Sequence, residues 1–200
     1  MIKTAEFITS SNKLDQCPPP NLAEYAFWGR SNVGKSSLIN MLTNINKLAK
    51  VSVKPGKTQL IYHFKIDQKW YLVDLPGFGY AKTSKTDRKE WDGFIKRYLL
   101  NRTNLQCVFM LIDARLEPQK IDLEYLEWLG VNQIPFVLAF TKLDKVKPNI
   151  WQKNFHKFEQ QFLFEWEELP QVFETSAKSK KGKDEILNFV NDLNEKFKEI

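Results

Sequence analysis

Cysteine is nearly absent from this chain of 200 residues: Cys17 and Cys107 stand far apart and no C-x-x-C occurs. That excludes a cysteine zinc centre and a disulfide framework, and Cys107, which opens an apolar run, reads as a small buried hydrophobe. Of the 2 histidines, His63 falls in an alternating run and reads as a strand residue rather than a ligand. Long hydrophobic runs are missing too. No segment approaches the ~20 apolar residues that a membrane span needs, and residues 1–7 carry a glutamate with no continuous apolar stretch. The expectation is therefore a cytoplasmic protein with neither membrane anchor nor secretory signal. Internal repeats and low-complexity tracts are also lacking.

What is present suits one α/β domain. Apolar content of 42% and charged content of 27% are ordinary for a soluble chain of this length, which buries roughly 70% of its unfolded surface. Residues 1–23 read as a lead-in segment packed on the domain, with one plausible strand at residues 5–8 and an extended stretch imposed by Pro18, Pro19 and Pro20. Residues 24–200 read as a single domain in which strands and helices alternate. Strands are expected at residues 25–28, 59–66, 70–74, 107–113, 136–140 and 172–174, and helices at 35–42, 86–100, 119–129, 151–164 and 184–198. Alternation of this kind implies a doubly wound, mostly parallel six-stranded sheet with one antiparallel edge strand and helices on both faces. Ligands of such sheets bind at the carboxyl ends of the strands.

The chemistry falls at those ends. Between the apolar run 25–28 and the helical pattern that follows lies Gly29-Arg30-Ser31-Asn32-Val33-Gly34-Lys35-Ser36-Ser37, a phosphate-binding loop in its required strand-to-helix context. Its glycines let backbone N–H groups converge on an anion, and the helix adds its positive dipole end. Lys35 reaches the β- and γ-phosphates and the Ser36 hydroxyl ligates Mg²⁺ in this pattern. Asp74-Leu75-Pro76-Gly77 ends a later strand, where an aspartate can hold Mg²⁺ directly or through water and the Gly77 N–H can meet a γ-phosphate. Thr141-Lys142-Leu143-Asp144 follows another strand. Guanine presents N1–H and N2–H₂ side by side, so the single carboxylate of Asp144 can accept both while the Lys142 stem covers the ring face. Adenine would leave that carboxylate unpaired. Thr175-Ser176-Ala177, followed by Lys178, can add a backbone N–H to guanine O6.

These residues together resemble the translation-factor-type GTPases, and more narrowly the EngB family, bacterial GTPases associated with assembly of the large ribosomal subunit. The most specific signatures are residues 29–40, Pro55-Gly56-Lys57-Thr58-Gln59, and the run from Asp74 through Phe78, Gly79, Tyr80 and Ala81. The resemblance implies that Gly56, Lys57, Thr58, Gln59 and Leu60 meet the nucleotide and that the Thr58 hydroxyl completes the Mg²⁺ shell when GTP is bound. Residues 43–57 and 77–90 become the two switch loops. Thr141 stands where most GTPases carry asparagine. Phe78 stands where many carry the glutamine that orients the attacking water, and related GTPases with asparagine at the position of Asn32 use potassium instead, so Asn32 is a candidate K⁺ ligand.

The net charge is +6, and basic residues gather in three clusters on the nucleotide edge: Lys47, Lys50, Lys54 and Lys57; Lys142, Lys145 and Lys147; and Lys178, Lys180, Lys181 and Lys183. A basic rim of this kind can meet RNA phosphates. The expected function is a slow, Mg²⁺-dependent GTPase, a monomer that binds GTP or GDP and the large ribosomal subunit or its precursor, through rRNA and ribosomal proteins. The alternative is a nucleotide-gated RNA-binding or ribosome-binding module with incidental turnover.

Overall fold

The computed structural model of the chain describes residues 2–45, 48–49, 60–79 and 85–198. In chain order the elements are β1 (Ala5–Ser11), β2 (Ala23–Gly29), α1 (Lys35–Thr43), β3 (Ile61–Ile66), β4 (Trp70–Asp74), α2 (Lys85–Asn101), β5 (Leu105–Asp113), α3 (Lys120–Val131), β6 (Phe136–Thr141), α4 (Pro148–Phe162), β7 (Val172–Glu174) and α5 (Lys183–Lys198). The strands form one sheet in the order β1-β3-β4-β2-β5-β6-β7. Pairings from β4 through β2, β5 and β6 to β7 are parallel, whereas β3 is antiparallel to both of its neighbours.

The expected α/β fold, doubly wound about a mostly parallel sheet, is therefore present, with two corrections. Among the described residues the sheet has seven strands rather than six, and the antiparallel strand β3 is second from the edge. The edge belongs to β1 in the lead-in segment, which pairs from Ala5↔Ile66 to Ser11↔Ile61 across an irregularity between Phe7 and Thr9. Its mixed polar sequence gives a weak strand signal because one side faces water and its pairing partner lies fifty or more residues away.

β2 lies between β4 and β5 and is buried along its whole length. The two-residue period of a strand sends Tyr25 and Phe27 to one face, where they pack with Leu38, Ile39 and Leu42 of α1 and Ile186 and Val190 of α5. Ala26 and Trp28 go to the other face, among Phe94 and Tyr98 of α2, Leu126 and Leu129 of α3, and Phe158 of α4. Two apolar layers thus fix the sheet, and the carboxyl ends of β2, β4, β5, β6 and β7 share one edge. His63 lies fully buried in β3, 3.5 Å from Glu24 of β2. Among the described residues, no helix is long and apolar enough to cross a membrane.

Candidate functional site

Beyond Gly29 the chain turns through Asn32, with φ 63, and Gly34, with φ 112, before α1 begins. The left-handed conformation at Gly34 is one that a side chain would strain. Among the described residues no side chain caps the N-terminus of α1. That is the arrangement in which a helix N-terminus accepts phosphate. Val33 and Leu75 are buried in the core, so only their backbones face this edge.

The loop after β4 lies directly against this turn. Ser31 N–H donates to the Phe78 carbonyl at 2.8 Å and Phe78 N–H to the Gly29 carbonyl at 3.2 Å. A Cβ on Gly77 would stand 3.0 Å from the Ser31 nitrogen, so glycine permits this approach. Trp28 Nε1 donates to the Pro76 carbonyl at 3.1 Å. Lys35 Nζ is paired with Asp74 Oδ1, joining the two motifs by a charge contact.

On the base side, Thr141 Oγ1 donates to the Val33 carbonyl at 2.6 Å. Lys142, held at φ 64, donates to the Asn32 carbonyl at 2.6 Å and to Asp113 Oδ2 at 2.8 Å. Leu143 N–H reaches the Thr175 carbonyl at 3.2 Å, and Ser176 Oγ donates to Asp144 Oδ1 at 2.7 Å. Asp144 and Ala177 are exposed, so this end of the site opens to solvent. The structure therefore brings residues 29–37, 74–77, 141–144 and 175–177 together. Of the remaining expected contacts, only Leu60 is described. Gly56, Lys57, Thr58 and Gln59 lie outside the described residues, as do much of the first switch loop and residues 80–84 of the second.

Two residues escaped the sequence reading. Asp113 ends β5, almost fully buried, and accepts from Arg115 Nε at 2.9 Å and Nη2 at 2.8 Å as well as from Lys142. Burial alone would raise its carboxyl, but these cations outweigh burial and hold it below the usual range. Its position at a strand end, like that of Asp74, was the available signal. Lys183, counted above in the basic rim, is 8% exposed and donates to the Met41 carbonyl at 2.8 Å and to Asn44 Oδ1 at 2.6 Å. It closes the carboxyl end of α1 rather than facing a partner, and burial, then Lys180, lowers its pKa. Lys181 is likewise paired, with Glu174 at 2.5 Å. Lys178, Lys180, Lys145 and Lys147 are exposed, while Lys47, Lys50, Lys54 and Lys57 lie outside the described residues.

A doubly wound sheet carrying a phosphate loop, a strand-end aspartate and a guanine-type base loop on one edge defines a P-loop GTPase. The family described as "50S ribosome-binding GTPase" matches residues 24–142. A probable GTP-binding protein EngB of Christiangramia forsetii is 54% identical over 193 residues, 96% of this chain and 98% of that protein. Its counterpart in Porphyromonas gingivalis is 53% identical, covering 98% of each chain. A crystal structure of a probable GTP-binding protein engB superposes with a TM-score of 0.71 at 25% identity over 87% of this chain and 100% of that one. Era, crystallised with MgGDPNP and a segment of 16S ribosomal RNA, shares the fold at a TM-score of 0.64 and 23% identity, over 84% of this chain and 55% of its own. The chain belongs to the EngB family of GTP-binding proteins, and it is a GTPase.

Proposed function

We propose that this GTPase is a cytoplasmic switch that assists assembly of the large ribosomal subunit, binding the subunit or its precursor in the GTP state and leaving after hydrolysis. The observation that carries the nucleotide half is the contact of Lys142 Nζ with the Asn32 carbonyl, which joins the base loop to the phosphate loop as one unit. Within that unit, residues 29–37 cradle the phosphates, Lys35 meets the β- and γ-phosphates, and Asp144 with Ser176 reads guanine. Thr175 and Ala177 brace and complete the base loop.

The donors fit Mg²⁺. Ser36 in the first turn of α1 and Asp74 at the end of β4 form a hard, oxygen-only set beside Lys35, and Thr58 joins them in the triphosphate state. Bound Mg²⁺ supplies neutralisation of charge on the β- and γ-phosphate oxygens. Phe78 offers no hydrogen bond to an attacking water, so intrinsic turnover is slow. Asn32, whose side chain is exposed on the phosphate loop, is the K⁺ ligand in this reading.

The ribosomal half is supported by the family's description and by exposed Lys145, Lys147, Lys178 and Lys180 on the nucleotide edge. Co-sedimentation with large subunits and their precursors tests it. Binding should require GTP or a non-hydrolysable analogue and weaken with salt, with a slope of roughly −0.7 to −0.9 per phosphate neutralised. Association indifferent to nucleotide and to salt would overturn the reading. Turnover that large subunits leave unchanged would reduce it to a nucleotide-gated binding module.

A further inference from the structure

Arg30 is the second residue of the phosphate loop, yet its side chain runs to α3, where Nε lies 3.1 Å from Asp122 Oδ1. Asp122 is 1% exposed, and neither of its carboxylate oxygens has an aligned hydrogen-bond partner among the described residues. Arg30 Nε has none either. Burial pushes the Asp122 carboxyl up to about 6, against the pull of Arg30, and Asp113 adds to the rise. A buried carboxylate facing one poorly aligned cation costs stability, so folding alone gives no reason for it.

What the pair spans gives a reason. The Arg30 backbone is bridged to Phe78 in the loop after Gly77. The Arg30 stem and Ile121 of α3 flank Gly79, where a Cβ would meet Arg30 Cγ at 3.9 Å and Ile121 Cδ1 at 4.0 Å. The Phe78 ring packs against Tyr125, one turn beyond Asp122, with ring centres 4.2 Å apart. Segment 77–79 is thus clamped between the phosphate loop and α3, and the ion pair is the one charged contact that crosses the clamp among the described residues.

We propose that Asp122, acting through Arg30, is a positioning residue for GTP hydrolysis: the ion pair ties α3 to the phosphate loop and holds segment 77–79 at its working distance from the γ-phosphate. This rests on the reading that the Gly77 N–H meets that phosphate. Arg30 is partly exposed, so without its carboxylate the guanidinium can turn toward water and loosen the clamp. GDP has no γ-phosphate to sense the change.

The test compares wild type, Asp122→Asn, Arg30→Gln and the double variant, each as the full chain. Asp122→Asn keeps the size and removes the charge. It should melt no lower than wild type at pH 7.5 and bind GDP within about twofold, while kcat falls about tenfold with smaller change in KM. The double variant should be no slower than the slower single one. A normal kcat in Asp122→Asn, losses that multiply in the double variant, a parallel loss of GDP affinity, or failure of Asp122→Asn to fold would each overturn the proposal. Gly77→Ala separates the underlying reading: if it hydrolyses GTP normally, the γ-phosphate contact itself is wrong. If it is impaired while Asp122→Asn is normal, only the role of Asp122 fails.

Discussion

Thr141 Oγ1 donates to the Val33 carbonyl at 2.6 Å, a buried bond that joins the end of β6 to the middle of the phosphate loop. The hydroxyl thus couples base loop and phosphate loop from the position that is asparagine in most GTPases. Thr141→Val keeps the shape and removes the donor, leaving the carbonyl unpaired at a cost of about 1–3 kcal/mol. GTP and GDP affinities should fall together, with a lower midpoint in urea. An unchanged midpoint and unchanged titrations would show that the bond carries neither.

Base selection is assigned to Asp144, whose Oδ1 is oriented by Ser176 Oγ at 2.7 Å. Asp144→Asn should weaken guanine nucleotides by roughly 100-fold or more and favour xanthine nucleotides, whose 2-carbonyl accepts from an amide. Competition titrations with GTP, ATP and XTP read this directly. Equal wild-type affinity for ATP and GTP would remove the assignment.

Metal dependence separates two hydroxyls. Ser36→Ala should impair Mg²⁺-dependent binding of both nucleotides, whereas Thr58→Ala should spare GDP, because the contact proposed for Thr58 would be made only with the triphosphate. Magnesium titrations with GDP and with a non-hydrolysable GTP analogue distinguish them. Equal losses of GDP and GTP affinity in Thr58→Ala would contradict the switch drawn over residues 43–57.

Potassium is expected to replace the missing glutamine. Hydrolysis should be faster in potassium than in sodium at equal ionic strength, and Asn32→Ala should abolish the difference. If rates match in both salts, with and without large subunits, Asn32 only shapes the loop.

Acid stability depends on the opposite end of β2. Burial alone would raise the Glu24 carboxyl, but His63 at 3.5 Å and Arg102 outweigh burial and hold it at about 2, with Tyr98 Oη also donating at 2.7 Å. A depressed folded value means that the unfolded chain takes up the proton first. The contribution is therefore full above the ordinary value of 4.5 and lost as pH falls toward 2, amounting to about 3 kcal/mol at most. Urea midpoints measured between pH 7 and 3 should fall less steeply for Glu24→Gln than for wild type.

The sequence by itself determined the strand and helix alternation, the phosphate loop and the strand-end motifs, because each depends on spacing within a few residues. Backbone amides around Gly34, the carboxylate of Asp74 and the base loop at Thr141 keep their chemistry wherever the chain places them. The tertiary structure alone decided which distant groups support them. Lys183 looked like one more surface lysine until the fold set it on Met41, 142 residues away, and Asp113 became an anchor for Lys142 only once β5 and β6 lay side by side. β1 became the sheet edge for the same reason: its pairing with β3 is long-range, and neither a two-residue period nor a local turn records it.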